Sequence, residues 1–570
     1  MELSENALAV LKARYLLKDK SGAITETPEE MFQRVAAGVA EAEKGYGKDS
    51  GLWTEHFYSL MRDLKFLPNS PAMMNAGKRL GQLAACFVLP VKDSMDSIFS
   101  SLKSAAMILQ SGGGTGFSFS QLRPRADVVS STGGVASGPV SFMRVFNTAT
   151  EVIKQGGARR GANMGILSVH HPDILDFIKI KRKAGELQNF NISVAITDTF
   201  MKALSNDEEY ELLNPRTGLG YKKIRAKEVF DEIVESAWET GDPGLVFIDA
   251  INRDNPTPHV GVMESTNPCG EQPLLPYEAC VLGSINLGKY VAVGGAGPEV
   301  KWEMLSRDIA IAVRFLDDAI DVNKYPLPEI EAMHKGNRKI GLGVMGWADM
   351  LILMGIPYDS KKAYAFARKF MKFFRGTARE CSVALAAEKG AFPNIKGSVY
   401  DVSGMPAVRN ATTTTIAPTG TLSIIADCSS GIEPLFALAY KRLIMDTELA
   451  EMNSLFFETA KKAGFYSEEL RAKVITRGTL RGIQEVPRVI RRLFRTAHEI
   501  NYRDHIEMQA CFQEYTDNAV SKTINMPHTA KREDVAKAYL LAYEKGCKGI
   551  TVFRYGTRRR GTLVRFADTD

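Results

Sequence analysis

Asn267-Pro268-Cys269-Gly270-Glu271 places an amide, a thiol and a carboxylate at positions i, i+2 and i+4, and a second cysteine, Cys280, follows before Gly283-Ser284-Ile285-Asn286-Leu287. In an extended segment or the arm of a tight loop, that alternation points all three side chains the same way. Pro268 and Gly270 punctuate the backbone and argue against a regular helix. An amide, a sulfur and a base along one edge suit chemistry on a polyhydroxylated substrate. A lone cysteine beside a turn is ordinarily a buried structural thiol; here the flanking amide and carboxylate favour a chemical role.

Around this stretch, from Leu80 to about Pro527, strand-like apolar runs such as Leu245-Val246-Phe247-Ile248 alternate with amphipathic helices such as Lys361 to Glu388. Repeated β-α units of this kind imply an α/β fold with a largely parallel sheet. Residues 1–65 read as a small helical region, with Glu29 to Ala42 and Trp53 to Leu64 both amphipathic. The segment 557–570 is basic at first, then polar, and is expected to fray. No fixed-period repeat or low-complexity linker interrupts the chain.

A chain of 570 residues suffices for several average domains or one large catalytic domain with additions. The net charge of +6 is small for that length and gives no argument for nucleic acid, while anionic nucleotides need only local positive charge. No run of about 18 apolar residues points to a membrane span, and Met1 to Leu17 lacks an apolar signal core, so a cytoplasmic protein is expected. The seven cysteines are scattered and contain no Cys-x-x-Cys pair, which fits neither a disulfide scaffold nor a zinc ribbon. Cys381, Cys428, Cys511 and Cys547 read as small buried hydrophobes; Cys86, Cys269 and Cys280 lie inside motifs.

The run Asn267 to Leu287 closely resembles the finger-loop segment of ribonucleotide reductase catalytic chains, above all the adenosylcobalamin-dependent class II enzymes. The similarity extends from about Leu64 to about Arg554 and is carried also by Asn69-Ser70-Pro71, Ala85-Cys86, Gly112 to Gly116, Ala417-Pro418-Thr419-Gly420-Thr421, and Thr516 to Pro527. It implies that residues 66–556 form a ten-stranded α/β barrel of two half-barrels with the Cys269 loop threaded through the centre. It implies further that Cys269 carries a thiyl radical, that Glu271 takes the 3′-hydroxyl proton as general base, and that Asn267 holds the sugar hydroxyls. Cys86 and Cys280 resemble the pair that becomes a disulfide as the ribose is reduced.

Substrate contacts implied by the same resemblance are Ser70, Ala85, Cys86, Gly114, the segment Asn267, Pro268, Cys269, Gly270 and Glu271, and the run Pro418, Thr419, Gly420, Thr421 and Leu422. The last run also reads on its own as a phosphate turn, offering hydroxyls and backbone N–H groups if a helix begins there. Gly112-Gly113-Gly114-Thr115-Gly116 matches neither a dinucleotide fingerprint nor a P-loop. Asp93, Ser94 and Arg123 resemble effector-binding residues, and Gln155 to Gly161, with Arg159 and Arg160, resembles the mobile loop between effector and substrate base.

No tyrosine pair stands in Gly549 to Arg554 and no glycyl-radical segment at Arg554-Tyr555-Gly556-Thr557. The resemblance therefore implies adenosylcobalamin as cofactor. No metal ligands are assigned: His170, His171 and His505 are tempting for cobalt but lie in strings where histidines usually serve structure. The expected partners are a ribonucleoside diphosphate, a deoxynucleoside triphosphate effector, a second copy in a homodimer, and a dithiol or thioredoxin-type reductant. The small dithiol is preferred because 557–570 contains no cysteine pair. The competing readings are a class I-type chain served by a separate metal subunit, and a nucleotide-binding homologue without turnover.

Overall fold

The computed structural model describes residues 2–129, 134–153, 161–294, 297–444, 447–557 and 563–564. Five short strands, β1 (Cys86–Leu89), β2 (Gly114–Ser118), β3 (Asn163–Ser168), β4 (Phe190–Ile196) and β5 (Gly244–Phe247), lie side by side in that order, all parallel. A second set contains β6 (Ala279–Asn286), β7 (Ile340–Met345), β8 (Thr523–Met526) and β9 (Gly549–Arg554), with β6 parallel to β7 and β8 parallel to β9. Between β7 and the approach to β8 runs the threonine-rich segment 412–416. It is tied by single parallel bridges, Leu342 to Thr414 and Ile416 to Val520, rather than by a regular strand.

The two sets meet antiparallel at both seams, β1 against β6 and β5 against β9. The result is a closed ring of two parallel half-barrels. Strand Phe66–Pro68 extends the β1 edge along β6. All of β6 and β7 is buried, as expected for parallel strands covered on both faces. Alternation still sorts the side chains: Phe87 and Leu89 join the large outer core, whereas Cys86 and Val88 form an inner cluster with Cys280, Leu282 and Leu274.

The lumen is filled by a hairpin, Ser265–Thr266 paired with Pro273–Leu274. Glycine on the barrel wall makes room for it. A Cβ on Gly116 would stand 1.7 Å from the carbonyl oxygen of Thr266, and one on Gly341 would stand 2.7 Å from the amide nitrogen of Gln272.

The helical region consists of α1 (Glu5–Arg14), α2 (Pro28–Ala40) and α3 (Ser50–Arg62), capped by Ser4, by a Thr27/Glu30 capping box and by Asp49. A buried charge network fastens it to the barrel. Glu43, fully buried, accepts from Lys389 at 2.7 Å and from Arg314 at 3.4 Å. In the tail, where fraying was expected, Leu563–Val564 pairs antiparallel with Lys441–Arg442 at the edge of the hairpin formed by Ala439–Ile444 and Thr447–Met452. An open strand edge there supplies the backbone partners.

Candidate active site

The Cys269 segment is a turn, not an extended run. Gly270 N–H donates to the Asn267 carbonyl at 3.1 Å, and Gly270 takes a φ of +82° that suits glycine. Cys269 is consequently exposed at the tip, while Asn267 and Glu271 are buried on the two arms. Of the two backbone forms the spacing allows, an extended segment or the arm of a tight loop, the structure takes the tight loop.

Each arm is pinned. Asn267 Oδ1 accepts the Gln272 N–H at 3.0 Å, and its Nδ2 donates to Cys86 Sγ at 3.1 Å. The Glu271 carbonyl accepts from Ala519 N at 3.0 Å and from Thr415 Oγ1 at 2.9 Å. Asn191, on β4, donates to the Pro268 carbonyl at 2.8 Å. A Cβ on Gly114 would lie 3.0 Å from the Pro268 ring, so glycine lets β2 touch the tip.

Cys86 and Cys280 are register partners across the β1–β6 seam, and both are free thiols. Partners in an antiparallel pair hold their Cα atoms about 4.5–5.5 Å apart, within the disulfide range of about 4.4–6.8 Å. Burial pushes the Cys86 thiol well above its ordinary range, helped by the charge of Glu271 and by the neighbouring Cys280 and Cys269, and opposed by the Asn267 hydrogen bond. Burial also raises Cys280, against the opposing charge of Lys339 and with added effect from Glu278 and Glu271. Both sulfurs are therefore protonated near neutrality and able to give hydrogen.

Thr419 has a φ of +51°, and its Oγ1 accepts the Gly431 N–H at 2.7 Å. Leu422 opens a helix of four residues, Leu422–Ile425, a single turn rather than a long N-terminus. Two residues that carried no sequence signal approach from α1 and its C-terminal neighbour. Arg14 donates to Thr421 Oγ1 at 3.3 Å, and the Tyr15 and Ser70 hydroxyls share a 2.8 Å hydrogen bond. Arg442 likewise donates to the Gly420 carbonyl at 2.7 Å. These contacts join segments from 22 to 407 residues apart, which no local pattern encodes. Ala85, whose carbonyl accepts the Gly114 N–H at 2.8 Å, stands at the foot of β1.

Asp93, Ser94 and Arg123 also come together. Arg123 donates its backbone N–H and Nε to the Asp93 carboxylate at 3.1 and 2.8 Å, and Ser94 caps the helix Met95–Gln110. Gln155, Arg159 and Arg160 lie outside the described residues.

A cavity of about 1270 Å³ opens over the tip, touching Pro268, Cys269 and Gly270. Pockets for one small ligand run about 300–1,000 Å³, so this one has room for a large group beside a nucleotide. Gln509 and Asn286 line it, and Gln509 Oε1 and Asn286 Oδ1 are buried without a protein hydrogen-bond partner. Orphaned acceptors in the lining of a cavity that also reaches an exposed thiol fit an amide- and hydroxyl-bearing cofactor such as adenosylcobalamin. The three histidines are committed elsewhere. His170 bonds the Glu211 carbonyl and Thr197, His171 bonds the Leu122 carbonyl and Asp173 N, and His505 bonds the Ala497 carbonyl and Lys522. The acidic group Asp317, Asp318 and Asp321 is already paired with Arg338, Arg409 and Lys389.

Comparison with known proteins agrees with this geometry. Residues 84–407 and 404–553 match the family described as ribonucleotide reductase, barrel domain, and residues 1–81 match ribonucleotide reductase, all-alpha domain. The chain is 49% identical to a vitamin B12-dependent ribonucleoside-diphosphate reductase of Thermoplasma acidophilum, over 97% of this chain and 79% of the relative. It is 48% identical to a protein of the same description from Mycobacterium tuberculosis, over 100% of this chain and 80% of the relative. In fold it matches the class Id ribonucleotide reductase alpha subunit of Actinobacillus ureae, with a TM-score of 0.80, 23% identity and 97% of each chain covered. The chain belongs to the ribonucleotide reductase large-chain family.

Proposed function

We propose that this chain reduces ribonucleoside diphosphates to 2′-deoxyribonucleoside diphosphates, with adenosylcobalamin as cofactor and Cys269 as the hydrogen abstractor. The observation that carries the reading is the convergence of an exposed Cys269, buried Asn267 and Glu271, and the Cys86–Cys280 register pair at the centre of one barrel. The chemistry supplied by adenosylcobalamin, when bound, is the one-electron removal of a hydrogen atom from Cys269. The Cys269 sulfur then takes the 3′ hydrogen of the ribose, and the Glu271 carboxylate accepts the 3′-hydroxyl proton. Asn267 holds the sugar in register. One thiol of Cys86 and Cys280 protonates the departing 2′-hydroxyl, and the pair returns hydrogen to the 2′ carbon. Product and water leave, and Cys86 and Cys280 remain as a disulfide. Before product leaves, Cys269 gives the hydrogen back to the 3′ carbon and Glu271 returns the proton to the 3′ oxygen.

The diphosphate is assigned to Pro418–Leu422 with Ser70, where Arg14 and Arg442 add positive charge. Ala85 and Gly114 allow backbone approach to the sugar. A deoxynucleotide effector is assigned to Asp93, Ser94 and Arg123, with Gln155 and Arg160 as the residues that relay it. A homodimer is supported by exposed Met95, Phe99 and Met107 on one helix and Val145 and Val152 on its neighbour, Pro139–Val152. Reduction of the disulfide is assigned to an external dithiol or a thioredoxin-type reductant.

The test is anaerobic turnover of CDP with a dithiol, with and without adenosylcobalamin. Turnover by the chain alone, only when the cofactor is added, is expected. Activity that appears only with a diiron or dimanganese subunit overturns the cofactor assignment, and nucleotide binding with no turnover under either regime overturns the catalytic one.

A further inference from the structure

The two sulfurs of the Cys86–Cys280 pair differ in their electrostatic surroundings: both feel the Glu271 charge, and Cys280 has in addition the opposing cation Lys339 with its partner Glu278. Lys339 precedes β7, and the parallel register Val281 to Ile340 sets it beside Cys280 on the same inward face. Its side chain is fully buried, and Nζ lies 2.7 Å from Glu278 Oε2. Glu278 is held in turn by Asn337 Nδ2 at 2.6 Å and by the Leu275 N–H at 2.8 Å. Cys280 Sγ donates to the Lys339 carbonyl at 3.5 Å. Cys86, by contrast, has the Glu271 carboxylate as its largest charge influence and accepts a hydrogen bond from the Asn267 amide at 3.1 Å. Cys86 also keeps a trace of exposure, 3%, whereas Cys280 has none.

This asymmetry matters after turnover, and the inference rests on the reading of Cys86 and Cys280 as the redox pair. Thiol–disulfide exchange is faster when the departing sulfur is the better-stabilised thiolate. We infer that Lys339, clamped by Glu278, is a positioning residue that gives the Cys86–Cys280 disulfide a fixed polarity, so that an external dithiol attacks Cys86 and Cys280 departs. In that step the thiolate of the dithiol forms a bond to Cys86 Sγ, the Cys86–Cys280 bond breaks, and its electron pair stays on Cys280 Sγ beside the Lys339 ammonium. The second thiol of the dithiol then attacks its own bound sulfur and releases Cys86. The dithiol ends as a cyclic disulfide, and both cysteines end reduced after taking up its two protons. A buried ion pair that serves folding alone has no need to stand beside one sulfur of the pair.

The experiment starts from enzyme oxidised by one turnover without reductant. Mapping a Cys86–Cys280 disulfide at that stage secures the redox-pair reading; its absence overturns that reading, independently of Lys339. The oxidised protein is then treated with a coloured aromatic monothiol, quenched with an alkylating agent and mapped. The expected result is the monothiol on Cys86 and the alkyl label on Cys280. The reverse pattern, or an even split, in the unaltered enzyme overturns the inference whether or not any variant folds.

The double variant Lys339→Met with Glu278→Gln removes the charge without stranding an anion. In it the preference for Cys86 should fall toward an even split, and dithiol reduction should slow several-fold, because only part of a change in thiol acidity reaches the exchange rate. Lys339→Arg should restore the preference. An unchanged preference in the neutral pair overturns the role of Lys339.

Discussion

At the scale of single residues, the exposed position of Cys269 separates chemistry from stability. Cys269→Ala and Cys269→Ser remove little buried surface, so each should unfold within about 0.5 kcal/mol of the parent and still bind nucleotide. Neither should form deoxynucleotide, because no other exposed thiol stands at the tip. Appreciable product from either variant, measured by chromatography, would sink the assignment. Asp349, which lines the cavity, gives a second handle. Burial pushes its carboxyl up from 3.8 to about 6, against hydrogen bonds from Ser429 and with help from Asp427. The native state therefore takes up this proton before the unfolded chain does. The contribution of Asp349 to stability is therefore most favourable at about pH 4 and below, falls as pH rises to about 6, and is flat above that. At about 1.4 kcal/mol per pH unit the loss approaches 3 kcal/mol. Asp349→Asn keeps an acceptor for the Ser429 N–H, which the carboxylate holds at 2.6 Å. The variant should match the parent near pH 4 and exceed it at pH 7, in urea titrations at each pH. Parallel curves for the two proteins would refute the shift.

At the scale of elements, the hairpin and the wall that encloses it make one unit. Gly116→Ala would drive a methyl into the Thr266 carbonyl, and backbone on both sides leaves nothing flexible to yield. The hairpin must move, so turnover should fall by more than 10-fold and the unfolding midpoint should drop. Gly376→Ala is the counterpart: exposed within the helix Lys361–Lys389, with nothing near its added carbon, it should stabilise by about 1 kcal/mol or less. If both substitutions change activity alike, the hairpin is not held by Gly116. Elements also mark what the sequence disclosed. The amphipathic helices Glu29 to Ala42 and Trp53 to Leu64 appear as Pro28–Ala40 and Ser50–Arg62 because caps and apolar spacing are local. Asn267, Cys269 and Glu271 stood out because their chemistry sits within five consecutive positions. Lys339, Glu278, Arg14 and Arg442 did not, since each acquires meaning only from a neighbour distant in sequence. The segment 412–416 carried no local sign of its place in the barrel for a related reason: its threonine side chains bond to Asp517 and to the hairpin, in place of a full backbone ladder.

At the scale of the whole molecule, the effector residues and the proposed dimer face share one element. Asp93 and Ser94 precede the helix Met95–Gln110, and that helix exposes Met95, Phe99 and Met107 beside the helix Pro139–Val152 that leads toward Arg159 and Arg160. A symmetric dimer packs the same patch from both copies, which sets each effector end against the partner and makes dimerisation a condition for base selection. Phe99→Glu puts two charges into such an interface and should convert a sedimenting dimer into a monomer. Cys86, Cys280, Asn267, Cys269 and Glu271 all come from one barrel, so the monomer should still form about one product per site from pre-reduced enzyme. What it should lose is the response to deoxynucleotide. Coupling energies of about 1–3 kcal/mol correspond to roughly 5- to 150-fold swings in base preference, and these should collapse toward unity in Phe99→Glu and in Arg160→Ala alike. A Phe99→Glu monomer whose base preference still switches at full strength would place the relay within a single chain and remove the second copy from the account of specificity.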